Sequence, residues 1–480
     1  MTAETTTVPT TSDSEAPYPR RWAAMIVLIL AFMLDLVNVT IVNVGLPAIQ
    51  RDFGASPTQL EWISAAYLLA FAAALITFAR LGDLWGRKRV FLAGVAAFAA
   101  AGVWSGIAQG PTELIAARAV QGVAAAALAP QVMSSLYGMF HGRERATVFG
   151  VFGIVAGLAQ AGGLVLGGVL ITADIAGLGW RTIFLVTVPA AVVLVAAGAW
   201  LVPESRVAGG SRPRWLATGV LTAALVAIVF TLLEGRTYGW PAWIWLGLAA
   251  GIAAVVGLAL AEHRRPERRA GALLPLDLLR RPVVASGLAV QLLAFAAFSG
   301  FLLVFVLWLQ DGQGYSALDA GMAAIGFSAG GLAMAPFTGR LIVRFGRLVT
   351  LAGCLLSGAG ALGVLAAAHA APQSVGAWTL IPGLFVMGAG MNLVMPSLST
   401  LFLNGVPSEH AGSASGIWNT SQQFGAALGV AGVGTVFFAG LDAGGHAMAF
   451  TASMLAVVAA LLVSAALCLT LPARTGPQDA

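Results

Sequence analysis

Apolar runs of twenty or so residues, cut by charged clusters and turn-forming residues, make up almost the whole of this 480-residue chain. A helix of that length rises about 1.5 Å per residue and spans a hydrocarbon core of about 30 Å. The punctuation predicts spans near 22–48, 58–79, 90–109, 112–139, 147–171, 182–202, 214–233, 242–261, 284–309, 318–338, 348–370, 377–404, 411–438 and 446–471. Fourteen is an even number, so both ends of the chain should lie on one side. The first run, Trp22 to Pro47, carries one acid, Asp35, near its middle and hence near the bilayer midplane. An Asp at a helix centre costs about 2.5–3.5 kcal/mol to insert, so it points to function inside a bundle or a water-filled cavity.

Composition fixes the class. Only 9% of residues are charged and 59% are hydrophobic, whereas soluble domains carry about 25% charged residues. The chain is an integral membrane protein, and its net charge of +5 matters through its distribution rather than as a nucleic-acid footprint. With the N-terminus inside, the outer segments hold only Arg51, Arg181 and Arg236. The inner ones collect clusters such as Arg87-Lys88-Arg89 and Arg264, Arg265, Arg268 and Arg269. This asymmetry puts both termini in the cytoplasm of a cell-membrane protein. Residues 1–19 are polar and hold no apolar core, so no cleaved signal peptide is expected. Cys354 and Cys468, far apart in sequence, suit small packing residues better than a disulfide or a metal pair. No metal site and no cofactor are expected.

The organisation reads as a cytoplasmic tail (1–21), a six-helix bundle (22–202), two central helices (214–261), a basic linker (262–283), a second six-helix bundle (284–471) and a short tail (472–480). An internal repeat supports two matching bundles. Ala79–Val90 and Gly339–Thr350 follow the second and tenth spans and share Arg80/Arg340, Leu81/Leu341, Gly86/Gly346 and Arg87/Arg347. The acid occurs once, since Asp83 aligns with Val343.

The loop Arg80-Leu81-Gly82-Asp83-Leu84-Trp85-Gly86-Arg87-Lys88-Arg89 joins glycines that allow a sharp turn to an acid beside basic residues. With this loop the chain resembles the major facilitator superfamily, and in particular its fourteen-helix drug:proton antiporters, over nearly its whole length. The resemblance implies an all-α membrane fold in a 6+2+6 arrangement. It also implies a gating loop at Gly82, Asp83, Gly86 and Arg87, in which Asp83 faces the start of the thirteenth helix near Ser408. Leu114 to Gly122 resembles the family's proton-coupling motif, which gives Arg118 a coupling role with Gln121 on a similar face. Thr40 to Pro47 matches the first-helix signature, but the family acid two positions before Thr40 is Asn38 here. Asp35, one turn deeper on the same face, can serve the same cavity. In the fifth span the antiporter Gly-Pro pair is Gly163-Leu164, while Gly153/Gly157 and Gly163/Gly167 are spaced for close helix crossing. Gly179 to Phe184 resembles the subfamily's start of the sixth helix.

Gln160, Asn392, Asn419, Gln422 and Gln423 are polar positions in otherwise apolar spans and are candidate cavity contacts beside Asn38 and Gln121. No acid lies deep in the second half, so proton traffic falls to the first, with Asp35 as the one movable acid. The reading is a monomeric, proton-coupled exporter of lipophilic or cationic small molecules working by alternating access. Uptake of a small metabolite and a non-transporting sensor stay open. An enzyme and an ATP-driven pump are disfavoured, because no HExxH, paired intramembrane carboxylates or GxxxxGK[ST] loop occurs.

Overall fold

The computed structural model describes residues 18–206, 215–264, 280–370, 375–404, 406 and 411–471. Both tails, most of the basic linker and Ser408 lie outside the described residues. The architecture is all helical: α1 (Arg21–Phe53), α2 (Pro57–Trp85), α3 (Arg87–Ile107), α4 (Pro111–Met139), α5 (Gly142–Ala173), α6 (Gly179–Leu201), α7 (Trp215–Gly235), α8 (Ala242–His263), α9 (Pro282–Gly312), α10 (Ala317–Phe345), α11 (Arg347–Ala370), α12 (Ala377–Asn404) and α13 (Ala411–Cys468). All 13 contain apolar stretches long enough to cross a membrane. The last is 58 residues long and is broken at Gly444 and Gly445, where the second glycine has φ 74°. One helical run thus holds two of the expected spans, 411–438 and 446–471.

Local chemistry explains the ends. α1 stops at Gly54, whose left-handed backbone (φ 62°) returns its N–H to Gln50. α2 starts at Ser56 with a capping box to Gln59 and Pro57 in the first helical position. The repeat has a structural counterpart. Gly86 (φ 107°) and Gly346 (φ 51°) each end a helix at positive φ, and Arg87 and Arg347 each open the next one.

Successive turns alternate between two ends of the bundle, the Gly54 face and the Gly86 face, and contacts between distant segments respect that alternation. Arg181 pairs with Asp52 at 2.7 Å and Arg236 with Asp442 at 2.9 Å on the Gly54 face. Arg21 pairs with Glu144 at 2.9 Å, and the Arg87 N–H donates to Ser205 at 3.0 Å, on the Gly86 face. α1 to α6 pack among themselves, as do α9 to α13, while α7 and α8 pair with each other and α7 also touches α2 and α13. Cys354 and Cys468 meet as free, buried thiols between α11 and α13.

The two sets touch at the Gly54 face and diverge toward the Gly86 face. A Cβ at Gly168 of α5 would lie 2.6 Å from the Ala317 carbonyl oxygen of α10, and one at Gly321 2.6 Å from that of Leu164. Eighteen residues are five helical turns, so Gly150 lies under Gly168 on α5 and Gly339 under Gly321 on α10. Neither has any described atom within 4 Å of a Cβ, and the same holds for Gly153 and Gly157. Among the described residues the expected close crossing at Gly153/Gly157 is therefore absent, because α5 has left α10 by that level. The Gly163/Gly167 step does form one, against Thr40 and Ile41 of α1. Among the described residues α5 and α10 thus form a V closed at the Gly54 face and open at the Gly86 face.

Candidate functional site

Inside the first set, three helices bring five polar side chains together. α1 presents Asp35 and Asn38 three residues apart on one face, α2 presents Tyr67, and α4 presents Arg118 and Gln121. All are at most 3% exposed. A guanidinium only donates, and its acceptors here are Asn38 Oδ1 at 2.5 Å, Gln121 Oε1 at 2.6 Å and, from Nε, the Ile63 carbonyl at 3.3 Å. Its plane lies over the Tyr67 ring, 4.2 Å from the centroid. The Tyr67 hydroxyl donates to Asp35 Oδ1. Asp35 and Arg118 thus form no direct ion pair and are joined through one phenol, which hydrogen-bonds the acid at its tip and stacks on the cation with its face. A proton leaving Asp35 would leave a carboxylate held by the phenol O–H in the field of a fixed positive charge. Both amides turn their oxygens to Arg118, so Asn38 Nδ2 and Gln121 Nε2 are buried donors without a protein acceptor.

Asn38 and Gln121 were expected to line a substrate cavity. They are fully enclosed instead, because the buried cation claims their oxygens. The remaining candidates do not join the cluster. Gln160 is half-buried on α5, and Asn392, half-buried on α12, accepts from Thr338 of α10 at 3.0 Å. Asn419 is exposed, and Gln422 and Gln423 are half-buried, on α13. In the gating loop Asp83 pairs with Arg87 one turn on, at 2.9 Å. Such a half-exposed pair is worth about 0.2–1 kcal/mol. Gly82 is covered by the Gln131 amide and Gly86 by the Glu204 carboxylate. The expected partner of Asp83 near Ser408 lies outside the described residues.

Four polar residues that matter were not singled out in the sequence. Tyr67 reads as core in an apolar span, although a mid-helix phenol needs a polar partner and Asp35 needed one too. Glu204 accepts from the Lys88 N–H at 3.2 Å and so caps the start of α3. Asp52 ties the end of α1 to Trp180 and Arg181, at 2.9 and 2.7 Å. Glu61 of α2 is, like Asp35, a buried acid of the first helix set.

The α2–α4 contact that holds Tyr67 over Arg118 depends on Gly122, where a Cβ would lie 2.2 Å from the Tyr67 carbonyl oxygen. Gly122→Ala is expected to cost about 1–3 kcal/mol by overpacking. Gly138→Ala, on the same helix with nothing within 4 Å, should be neutral or gain up to about 1 kcal/mol from helix propensity. Thermal unfolding of the two variants in detergent is the check.

The chain matches the Major Facilitator Superfamily over residues 28–430. It is 38% identical over 419 residues to the probable actinorhodin transporter of Streptomyces coelicolor, covering 86% of this chain and 72% of that one. It is 33% identical over 417 residues to the puromycin resistance protein pur8 of Streptomyces alboniger, covering 86% and 80%. It is 32% identical over 410 residues to the cephamycin export protein CmcT of Amycolatopsis lactamdurans, covering 84% and 82%. In three dimensions it resembles the crystal structure of a peptide transporter, POT, in complex with sulfate, with TM-score 0.66, 14% identity, and 97% and 98% of the two chains covered. That last likeness speaks for the fold alone. With apolar helices throughout, two helix sets that open on one face and this breadth of sequence match, the chain belongs to the major facilitator superfamily and is a multi-pass membrane transporter, not an enzyme.

Proposed function

We propose that this transporter exports lipophilic or cationic small molecules in exchange for protons, as a monomer with fourteen crossings in a 6+2+6 arrangement and both termini in the cytoplasm. The basic residues support that orientation: Arg80, Arg87, Lys88 and Arg89 lie at the Gly86 face. The V then opens inward, and Gln160, Asn392, Asn419, Gln422 and Gln423 on α5, α12 and α13 are its polar contacts for cargo. Relatives named for actinorhodin transport, puromycin resistance and cephamycin export favour export over uptake.

The observation that carries the reading is a buried acid joined through one phenol to a buried arginine, in a bundle open on its basic face. Cargo enters from the cytoplasm, Asp35 exchanges its proton as the sets rock, and cargo leaves at the Gly54 face. One proton moving down 100 mV supplies about 2.3 kcal/mol and each pH unit about 1.4 kcal/mol.

The test is proton release from detergent-purified protein on addition of a broad panel of lipophilic cations, together with cargo uptake into inverted vesicles acidified inside. Release on binding and uptake driven by the acid lumen are expected. No release with any cation, or accumulation only in right-side-out vesicles, would sink the assignment.

A further inference from the structure

The corner where α2 meets α13 holds a buried acid apart from Asp35. Glu61 sits one turn into α2, is 1% exposed, and its Oε1 has no hydrogen-bond partner. What it touches belongs to the other set: a Cβ at Gly434 of α13 would lie 2.2 Å from that oxygen, so the carboxyl fills the place of a missing side chain. The charged groups facing it are Glu234, at the end of α7, and Arg236, just beyond it. Both are committed elsewhere. Glu234 accepts from Trp62 Nε1 at 3.0 Å, and Arg236 pairs with Asp442 at 2.9 Å while lying 5.3 Å from the Phe438 ring centroid. Thr58 to Thr237 at 2.9 Å and Thr435 to the Leu232 carbonyl at 3.3 Å close the same corner. Thus α2, α7 and α13 meet around one carboxyl with a bare oxygen.

A carboxylate sealed against backbone with a bare oxygen lacks the solvation it needs, and the flanking Arg236 and Glu234 act on it in opposite senses, whereas the neutral acid fits. The proton can reach or leave it only from the Gly54 side, and only when α2 and α13 part. We propose that Glu61 is a second proton-binding site of this transporter, the one whose occupation lets the Gly54 face close. With the face parted, hydronium from water on that side gives up a proton and an O–H bond forms on Glu61, α2 then seats on Gly434, and when the helices next part the proton returns to the same water and the carboxylate holds the face open. This deepens the alternating-access reading and rests on it, and it assigns proton control of the Gly54 gate to a group apart from the Asp35 cluster.

The experiment measures the distance between spin labels at Arg51→Cys and Ala443→Cys, two exposed positions of the Gly54 face. The background is full-length protein with Cys354→Ala, Cys468→Ala and Asp35→Asn, so that titration of the first site is silent. The labels should be close in acidic buffer and apart in alkaline buffer. Adding Glu61→Gln should keep them close in both. Gly434→Ala, which puts a methyl where the carboxyl sits, should keep them apart in both, and it serves if Glu61→Gln does not fold. An unchanged pH response in Glu61→Gln, or normal closure in Gly434→Ala, overturns the proposal. Absence of cargo-induced proton release from the unmodified protein, with the pH-dependent distance intact, would instead remove the export reading and leave Glu61 in place.

Discussion

Asp35→Asn is expected to abolish cargo-coupled proton exchange while leaving a folded protein that still binds cargo. The amide is isosteric, and its oxygen still accepts from the Tyr67 hydroxyl, so the α1–α2 contact survives. What it removes is the titrating group. Under the proposed exchange, with one proton expelled per cargo bound, apparent affinity should weaken tenfold per pH unit on the acid side, about 1.4 kcal/mol each. The sign follows from competition: lower pH favours the protonated, cargo-free form. The variant should lose this acid-side tenfold slope, keeping only the pH dependence that Glu61 gives the Gly54 face, and should release no proton when cargo is added to detergent-purified protein. Undiminished proton-driven movement would show that Asp35 is a packing residue.

Much of this site was legible because a membrane makes polar residues conspicuous. Asp35 and Arg118 stand out in apolar runs, and helical periodicity puts Asn38 and Gln121 on their faces. That the two helices would meet through Tyr67 was not legible, since contact between α1, α2 and α4 is set by tertiary packing at Gly122. Glu61 escaped notice for a different reason. It lies near the end of a span, where an acid is ordinarily solvated, and only the approach of α13 buries it. The polar face of Asn419, Gln422 and Gln423 was visible as a pattern, but its distance from the acid depends on how far the V has opened. The thirteenth and fourteenth spans were separable by their glycines, and the break at Gly444 and Gly445 falls between them. Whether a pair of small residues makes a crossing was undecidable from spacing: Gly163/Gly167 meets α1, and Gly153/Gly157 meets nothing described.

Replacing Arg118 should have the second large effect, and three substitutions separate its roles. Arg118→Ala deletes one of the largest fully buried side chains and opens a cavity between Asn38, Gln121 and the Tyr67 ring. A large-to-small change at a fully buried position costs about 2–5 kcal/mol, so this variant is expected to accumulate poorly and to unfold at lower temperature. Arg118→Met keeps most of the volume, and with the cation gone the Asn38 and Gln121 amides can turn toward each other, each supplying a donor to the other's oxygen. Its folded yield should recover accordingly, without transport. Without the cation, the carboxylate formed at Asp35 on proton release would face no opposing charge, and cargo binding would no longer expel the proton. Arg118→Lys keeps the charge but replaces a planar fork by a point. An ammonium cannot reach both amide oxygens and cover the Tyr67 ring at once, so coupling should fall even though the net charge is unchanged. Folded protein with full coupling in Arg118→Met would exclude an electrostatic role. Full coupling in Arg118→Lys would show that charge alone suffices and that the fork over Tyr67 only packs.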